Sequence, residues 1–227
     1  MKFSFVTLFP ELIRPYFQES ILNKALQSNL IEIDFLNPRD YTTNKHKKVD
    51  DTLCGGGAGQ LISPQPMFDL LYEMKLKDRE IHIVFPLAAA KPFKQNDAIR
   101  LAKTKKHIVF VSGRYEGIDE RVIETFADEV FSIGDYILTG GELASCVMSD
   151  AISRNIEGVL GNSDSLSEES YNLQGGTKAT LEAPSFTKPE NFCNLSVPSE
   201  LLKGNHAKIR VLKSNLSRCK TKYFRPS

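Results

Sequence analysis

Two glycine-containing segments have residue types that could bind a ligand. Residues 113–117 (Gly-Arg-Tyr-Glu-Gly) directly follow an apolar run, and residues 133–141 follow another. In the second segment Gly140 and Gly141 allow close backbone approach, because they have no Cβ. Residues 136–138 (Tyr-Ile-Leu) could wall a flat ring while backbone groups hydrogen-bond a base edge. A loop at a strand end is a usual ligand position in α/β proteins, although an ordinary turn between strand and helix has the same composition.

A third glycine-rich segment, residues 55–59 (Gly-Gly-Gly-Ala-Gly), has consecutive amides that could wrap an anion. It lacks the Lys-Ser/Thr ending of a nucleotide-hydrolase loop, and it does not fit the dinucleotide-binding glycine pattern. A mobile loop that closes over a ligand fits better, with Lys47 and Lys48 attractive to a phosphodiester. A flexible surface turn and a nucleotide-dependent enzyme that uses this loop stay open as alternatives.

Metal and membrane chemistry have no support in the residue pattern. The four cysteines and four histidines are scattered, without the spacing of a metal site or of a disulfide framework, and we expect no bound metal. No run of 18 or more apolar residues exists, and the amino terminus lacks the features of a signal peptide. The sequence therefore predicts a cytoplasmic protein that does not span a membrane.

Strand-like and helix-like segments alternate along most of the chain, which predicts an α/β fold with a mostly parallel sheet covered on both sides. The predicted strands are residues 2–8, 31–36, 81–85, 107–111 and 129–132. The predicted helices are residues 11–28, 64–77, 93–103, 118–126 and 141–156. A long loop, residues 37–60, separates the second strand from the second helix, and loops of that length are usually functional or mobile.

Composition divides the chain into three parts. Residues 1–160 form the predicted α/β domain, and residues 161–176 are rich in Ser, Asn and Gly, as a flexible linker would be. Residues 177–227 are a small, mainly helical domain with predicted helices at 199–202 and 207–216. Its last 27 residues hold 8 Lys and Arg and no acid, in a chain whose net charge is only +1. Such asymmetry is typical of contact with a polyanion, although a solvated basic tail has the same composition.

Several motifs together resemble one family. They are GRYEGIDER at residues 113–121, IGDYILTGGEL at 133–143 and GNHAKIR at 204–210, together with LFPE at 8–11 and PRD at 38–40. In this order and spacing they closely resemble the bacterial tRNA (guanine-N(1)-)-methyltransferases, the TrmD family, from residue 3 to about residue 213. Periodicity alone would give a plain doubly wound sheet, but the resemblance implies a SPOUT-class sheet threaded into a trefoil knot.

The resemblance also implies a methyl donor, S-adenosylmethionine, bound in the knot. The residues implied to hold it are Phe85, Pro86, Leu87, Gly113, Tyr115, Glu116, Ile133, Gly134, Asp135, Tyr136, Ile137, Leu138, Gly140 and Gly141. Residues 87–90 (Leu-Ala-Ala-Ala) replace the family's Ser-Pro-x-Gly, which changes the contacts from that loop. A homodimer is implied as well, in which the linker and basic domain of one subunit complete the active site of the other.

The implied reaction is methylation of the N(1) atom of guanine 37 of tRNA, on the 3′ side of the anticodon. A carboxylate removes the N(1) proton, and a guanidinium stabilises charge on the guanine oxygen. Here the matching residues are Glu169, where the family has Asp, and Arg154, with Glu168 as the alternative base. The residues implied to bind the substrate are Asp50, Gly59, Asn205, His206, Lys208 and Arg210, with Lys213 and Arg218 neutralising phosphates. An RNA-binding module of the same fold with impaired catalysis is the competing hypothesis.

Overall fold

The computed structural model describes residues 1–161, 170–171 and 180–225 of the chain. The chain forms two compact units, Met1–Gly161 and Asn162–Ser227. The strands of the first unit are β1 (Lys2–Val6), β2 (Glu32–Leu36), β3 (Asp50–Thr52), β4 (Gln60–Ile62), β5 (His82–Pro86), β6 (His107–Val111) and β7 (Glu129–Phe131). Its α-helices are α1 (Ser20–Gln27), α2 (Pro64–Lys77), α3 (Gln95–Thr104), α4 (Glu120–Phe126) and α5 (Glu142–Ser153).

Five strands form one sheet in the order β2-β1-β6-β5-β7, and every neighbouring pair is parallel. Phe5 of β1 lies opposite Phe35 of β2 and Phe110 of β6, and its ring stacks on both, with centroids 5.7 and 5.6 Å away. The predicted α/β fold with a mostly parallel sheet is therefore confirmed. The threading of the sheet into a knot stays a prediction from the resemblance.

Alternate residues of each strand point to opposite faces of the sheet. Both faces are buried, each under its own set of helices. In β6, Ile108 and Phe110 join a core cluster with α1, α3 and α5, whereas Val109 and Val111 join a second cluster with α2 and α4. A strand that is apolar at every position is what two covered faces require. The covering of the sheet on both sides is thus confirmed.

Two predictions for the first unit are wrong. The single helix over residues 11–28 is instead two 3₁₀ helices, Pro10–Leu12 and Arg14–Phe17, followed by α1. Pro15 cannot donate an amide hydrogen, so a continuous α-helix is interrupted there. The loop over residues 37–60 contains a 3₁₀ helix, Pro38–Asp40, and the antiparallel hairpin β3–β4. This hairpin docks on residue 117, because the Ile62 amide donates to the Gly117 carbonyl (3.0 Å).

A partly buried carboxylate joins three segments at the amino edge of the sheet. Glu129 of β7 accepts a hydrogen bond from Arg100 of α3 (Nη2 to Oε2, 2.7 Å) and lies 2.8 Å from Nε2 of His82 in β5. Burial acts to raise the pKa of Glu129, but the hydrogen bonds with Arg100 and His82 outweigh it and hold the pKa below its ordinary value. The folded protein therefore binds this proton less tightly than the unfolded chain does.

Replacement Glu129→Gln is expected to destabilise the protein near neutral pH, because an amide cannot pair with the Arg100 charge. A lowered pKa stabilises the fold above the ordinary glutamate value of about 4.3, and this contribution is lost as pH falls further through the folded value. We expect a loss of about 1–3 kcal/mol in the free energy of unfolding near pH 7. Urea titrations at decreasing pH should show the difference between the two proteins shrink in acid, and a constant difference would contradict this account.

The described residues of the second unit form a short hairpin and two helices. Its elements are β8 (Asn191–Phe192), β9 (Leu195–Ser196), α6 (Ser199–Leu202) and α7 (His206–Phe224). The segment before the hairpin packs on α7, where Thr221 accepts a hydrogen bond from the Leu181 amide and Ser217 donates to the Leu181 carbonyl. The prediction of a helix over residues 207–216 is too short, because α7 continues for eight more residues. The hairpin was not predicted.

The described residues contain neither a membrane-spanning helix nor a cluster of metal-ligand side chains. No helix in the described ranges has the length and apolar character needed to cross a membrane. Across the same ranges, no three His, Cys, Asp or Glu side chains are grouped so that they could hold a metal ion.

Candidate active site

The loops after β5, β6 and β7 meet at the carboxyl edge of the sheet. The Leu87 amide donates to the Phe131 carbonyl, and the Gly141 amide donates to the Gly113 carbonyl, each at 2.9 Å. The structure therefore brings together the three segments predicted to hold the cofactor, residues 85–87, 113–116 and 133–141, although they are far apart in sequence. In open parallel sheets, ligands bind at this edge.

The tip of the third segment is exposed although it is apolar. Tyr136 and Leu138 are exposed, and Ile137 is 82% exposed. The turn is held by its own groups, since the Gly134 amide donates to Ser132 Oγ and the Tyr136 hydroxyl donates to the Ile133 carbonyl. Within the described part of the chain, the amides of Ile137 and Leu138 make no hydrogen bond. An apolar wall beside unused backbone donors can take a flat, hydrogen-bonding ring.

Gly141 allows the second and third segments to touch. A Cβ at this position would lie 2.9 Å from Ser112 Cα and 3.1 Å from the Gly113 amide nitrogen, both of which are backbone atoms. Backbone cannot move aside as a side-chain end can, so any larger residue would push the loops apart. This close approach supports the sequence prediction that Gly141 matters because it has no side chain.

The hairpin β3–β4 carries two predicted substrate residues, Asp50 and Gly59, and brings Gly59 to the second segment. The Glu116 amide donates to the Gln60 carbonyl (3.0 Å), and the Glu116 side chain fills the space beside Gly59. A Cβ on Gly59 would lie 2.5 Å from Glu116 Oε1, and Gly59 itself has φ +96°. Asp50 begins β3 and is partly buried. Gly59 is therefore a direct neighbour of Glu116, a predicted cofactor residue.

Arg154 is the carboxyl cap of α5, a helix that is buried along most of its length. The exposed positions of the helix follow one stripe, with Leu143 60% and Val147 44% exposed. Beside this stripe Asp150 accepts a hydrogen bond from the Tyr16 hydroxyl (2.6 Å), which raises the pKa of Tyr16 to about 12. Arg154 thus lies at the end of an apolar surface stripe. The predicted bases, Glu168 and Glu169, lie outside the described residues.

The predicted RNA-contacting residues lie in the second unit, at the start of α7. Asn205 is the amino cap of this helix, and its side-chain oxygen accepts a hydrogen bond from the Lys208 amide (3.1 Å). His206, Lys208 and Arg210 are exposed in the first turns. Asn205 therefore has a structural role as a helix cap, and the side chains of Lys208 and Arg210 after it are accessible to a ligand.

The sequence interpretation missed two polar residues at the carboxyl edge, Thr7 and Glu142. Both are buried, and the Thr7 hydroxyl donates to Glu142 Oε1 (2.8 Å). Glu142 directly follows Gly140 and Gly141, where an acid is favourable simply because the helix begins there. The only sequence signal for Glu142 was thus an acid at a predicted helix start, which helix stability alone explains. Their contact joins residues 135 positions apart, which only the fold reveals.

A parallel sheet with three adjoining loops at its carboxyl edge is an α/β architecture with a candidate ligand site at that edge. Comparison with known proteins identifies the family. The model described as tRNA (Guanine-1)-methyltransferase TrmD matches residues 1–227. The chain therefore belongs to the TrmD family of tRNA (guanine-1)-methyltransferases, and the resemblance seen in its motifs is confirmed.

Curated relatives are similar over the full length. The chain is 64% identical over 226 residues to the tRNA (guanine-N(1)-)-methyltransferase of Sulfurimonas denitrificans, covering 100% of this chain and 95% of that protein. It is 62% identical over 226 residues to the protein of the same name from Sulfurovum sp., covering 100% and 97%. It is 59% identical over 226 residues to that of Campylobacter curvus, covering 100% and 93%.

Proposed function

We propose that this protein methylates the N(1) atom of guanine 37 in tRNA, with S-adenosylmethionine as the methyl donor. The observation that carries the proposal is the full-length identity of 64% with a relative named tRNA (guanine-N(1)-)-methyltransferase. A tRNA-modifying enzyme acts where its substrate is, so we place the protein in the cytoplasm. The part of the chain that the structure describes adds support at the cofactor loops, at α5 and at α7.

The residues at the carboxyl edge fit S-adenosylmethionine. Its adenine is a flat ring with hydrogen-bonding edges, and the exposed Tyr136 and Leu138 with the unused amides of Ile137 and Leu138 are suited to it. Residues 85–87 and 113–116 belong to the neighbouring segments at the same edge of the sheet. When bound, the cofactor supplies a methyl group attached to a positively charged sulfur. The chain's own part is to orient that group and to exclude water from it.

Guanine N(1) carries a proton in the neutral base, so a residue must remove it before the nitrogen can accept a methyl group. We assign this role to Glu169, with Glu168 as the alternative. Arg154 would hold the guanine oxygen, where negative charge develops as the proton leaves. Asp50 and Gly59 would contact the guanine from the hairpin β3–β4. Gly59 lies beside Glu116, a predicted cofactor residue, so the hairpin adjoins the proposed cofactor site.

The basic second unit would bind the anticodon stem-loop. Its longest helix, α7, carries exposed Lys208, Arg210 and Arg218 and contains no acidic residue. Cationic side chains spread along a helix neutralise successive phosphates, and the resulting affinity falls as salt rises. In this proposal residues 1–160 bind the cofactor, residues 161–176 link the domains, and residues 177–227 bind tRNA, with Asn205 and His206 among the contacting residues.

The exposed stripe of α5 supports a homodimer with shared active sites. Leu143 and Val147 are apolar residues left in solvent on a helix whose other positions are mostly buried, and Leu12 of the nearby 3₁₀ segment is 60% exposed. Exposed apolar side chains on one side of an otherwise buried helix are a feature of interfaces. Arg154 ends the same helix, so a partner subunit seated on the stripe would bring its own residues toward Arg154.

Replacement Val147→Arg is expected to convert the dimer into a monomer, because it places an unpaired charge at the centre of the stripe. Sedimentation equilibrium should show at least a roughly tenfold weaker self-association. The matched control is Leu76→Arg on α2, where the side chain is also largely exposed but lies outside the stripe. A Val147→Arg protein that remains as dimeric as the control would contradict the proposed interface.

A labelled methyl-transfer assay tests the proposed function against its alternatives. With tRNA transcripts that have two guanines at the 3′ border of the anticodon, we expect about one methyl group transferred from S-adenosylmethionine per tRNA. Binding of tRNA without transfer would instead support the RNA-binding module with impaired catalysis. Thermal stabilisation by ATP or NAD, but not by S-adenosylmethionine, would support the enzyme that uses residues 55–59.

A further inference from the structure

A buried acid lies where the predicted cofactor loops join the sheet. Glu142 is the first residue of α5 and is only 3% exposed. Its Oε1 accepts hydrogen bonds from the Thr7 hydroxyl (2.8 Å) and from Arg114 Nε (3.0 Å). Thr7 follows β1 and Arg114 follows β6, so one carboxylate joins two strand ends and a helix start.

Arg114 extends this contact to the third cofactor segment. Its Nη1 donates to the Thr139 carbonyl (3.2 Å), and its backbone forms an isolated antiparallel bridge with Gly140. Gly140 lies directly on the ion pair, since a Cβ there would be 2.5 Å from Glu142 Oε2 and 2.6 Å from Arg114 Nε. The Glu142–Arg114 pair therefore sets the position of residues 139–140, the end of the segment predicted to surround the cofactor.

Helix capping alone does not explain this arrangement. An acid at a helix start is favoured even when it is exposed, because the helix dipole acts there. Here the carboxylate is removed from water, and its second oxygen, Oε2, has no hydrogen bond of its own in the described residues, although Arg114 Nε is 2.9 Å away. A buried carboxylate oxygen that makes an ion pair but no hydrogen bond is unusual, and it calls for an explanation beyond fold stability.

We infer that Glu142 is a positioning residue for S-adenosylmethionine, acting through Arg114 to hold residues 133–141 in their binding conformation. This inference rests on the proposed function. Glu142 does not contact the reacting atoms; it fixes Arg114, and Arg114 fixes the loop. Loss of the Glu142 charge frees the guanidinium, and the loop then spends less time in the conformation that binds the cofactor. Cofactor affinity should fall, whereas tRNA affinity should not.

The test is calorimetric binding of S-adenosylmethionine and of S-adenosylhomocysteine to Glu142→Gln. We expect the dissociation constant for each to rise about tenfold or more, because one partner of a buried charge pair is lost. In the methyl-transfer assay, KM for S-adenosylmethionine should rise while KM for tRNA is unchanged. The matched control is Glu129→Gln, which removes an ion pair with Arg100 on the edge strand β7. It should lower stability and leave both dissociation constants unchanged.

A double-mutant cycle tests whether Glu142 acts through Arg114. If it does, the double variant with Glu142→Gln and Arg114→Gln should bind the cofactor as tightly as the single variant with the lower affinity. The effects of coupled residues do not add. Should Glu142→Gln fail to fold, Thr7→Val, which removes only a hydroxyl contact to the carboxylate, should show the same selective loss in milder form.

The outcomes separate this inference from the proposed function. Wild-type protein that binds neither cofactor would overturn the proposed function itself. Wild-type binding together with unchanged affinity in Glu142→Gln would overturn only the positioning role. Additive effects in the cycle, or an equal loss of affinity in Glu129→Gln, would also overturn it.

Discussion

Glu169→Gln is expected to lower the rate constant for methyl transfer by about 10²–10⁴-fold, the usual contribution of a general base. The amide has nearly the same shape as the carboxylate but cannot accept the guanine N(1) proton. S-adenosylmethionine should bind as tightly as before, because the cofactor loops belong to residues 85–141. Single-turnover kinetics with saturating cofactor and tRNA measure the rate constant, and calorimetry measures the affinity.

The neighbouring acid is the matched control for this experiment. Glu168→Gln removes the same charge one position earlier, so effects of net charge on tRNA binding are the same in both variants. We expect it to keep a rate close to that of the wild-type protein. If the large loss occurred in Glu168→Gln instead, the base would be Glu168. Small losses in both would mean that neither acid removes the proton.

Arg154→Gln is expected to lower the same rate constant by about 10²–10³-fold, the typical cost of removing one donor to a developing oxyanion. The glutamine keeps a neutral donor but loses the charge that balances the guanine oxygen. Because Arg154 is partly exposed at the end of α5, the loss should appear in the rate of the chemical step and much less in thermal stability.

Mixing the two inactive variants tests whether each active site is shared. If Glu169 of one subunit works with Arg154 of the other, a heterodimer of Glu169→Gln and Arg154→Gln subunits contains one intact site. After random exchange of subunits, about a quarter of wild-type activity should return. If both residues came from the same subunit, no intact site could form and the mixture would stay inactive.

Elements with strong local patterns were predicted well from the sequence. The bounds of β6 and α2 agree with the predicted ranges, because β6 is apolar throughout and α2 begins with Pro64 and has regular apolar spacing. The hairpin β3–β4 has only three residues per strand and a largely polar sequence, so its pairing depends on docking against residue 117. A contact between distant segments leaves no local pattern to detect.

The second unit shows the same limit. In the β8–β9 hairpin, Cys193 and Asn194 both have positive φ, as a tight two-residue turn requires, but Cys-Asn is not a strong turn signal. The loops of the candidate site were found because glycine and strand ends mark them. The Glu142–Thr7 contact was not, because an acid at a helix start has an ordinary explanation and its burial follows only from the fold.

Identification of the methylated atom decides whether this protein methylates N(1) of guanine 37. Transcripts of one tRNA with guanine or adenine at position 37 are incubated with the protein and S-adenosylmethionine and then digested to nucleosides. The nucleosides are separated by chromatography and identified by mass spectrometry. We expect 1-methylguanosine from the first transcript and no methylated nucleoside from the second, and this difference locates the methyl group at position 37. Methylation of another atom or position, or equal methylation of both transcripts, would contradict the proposed function.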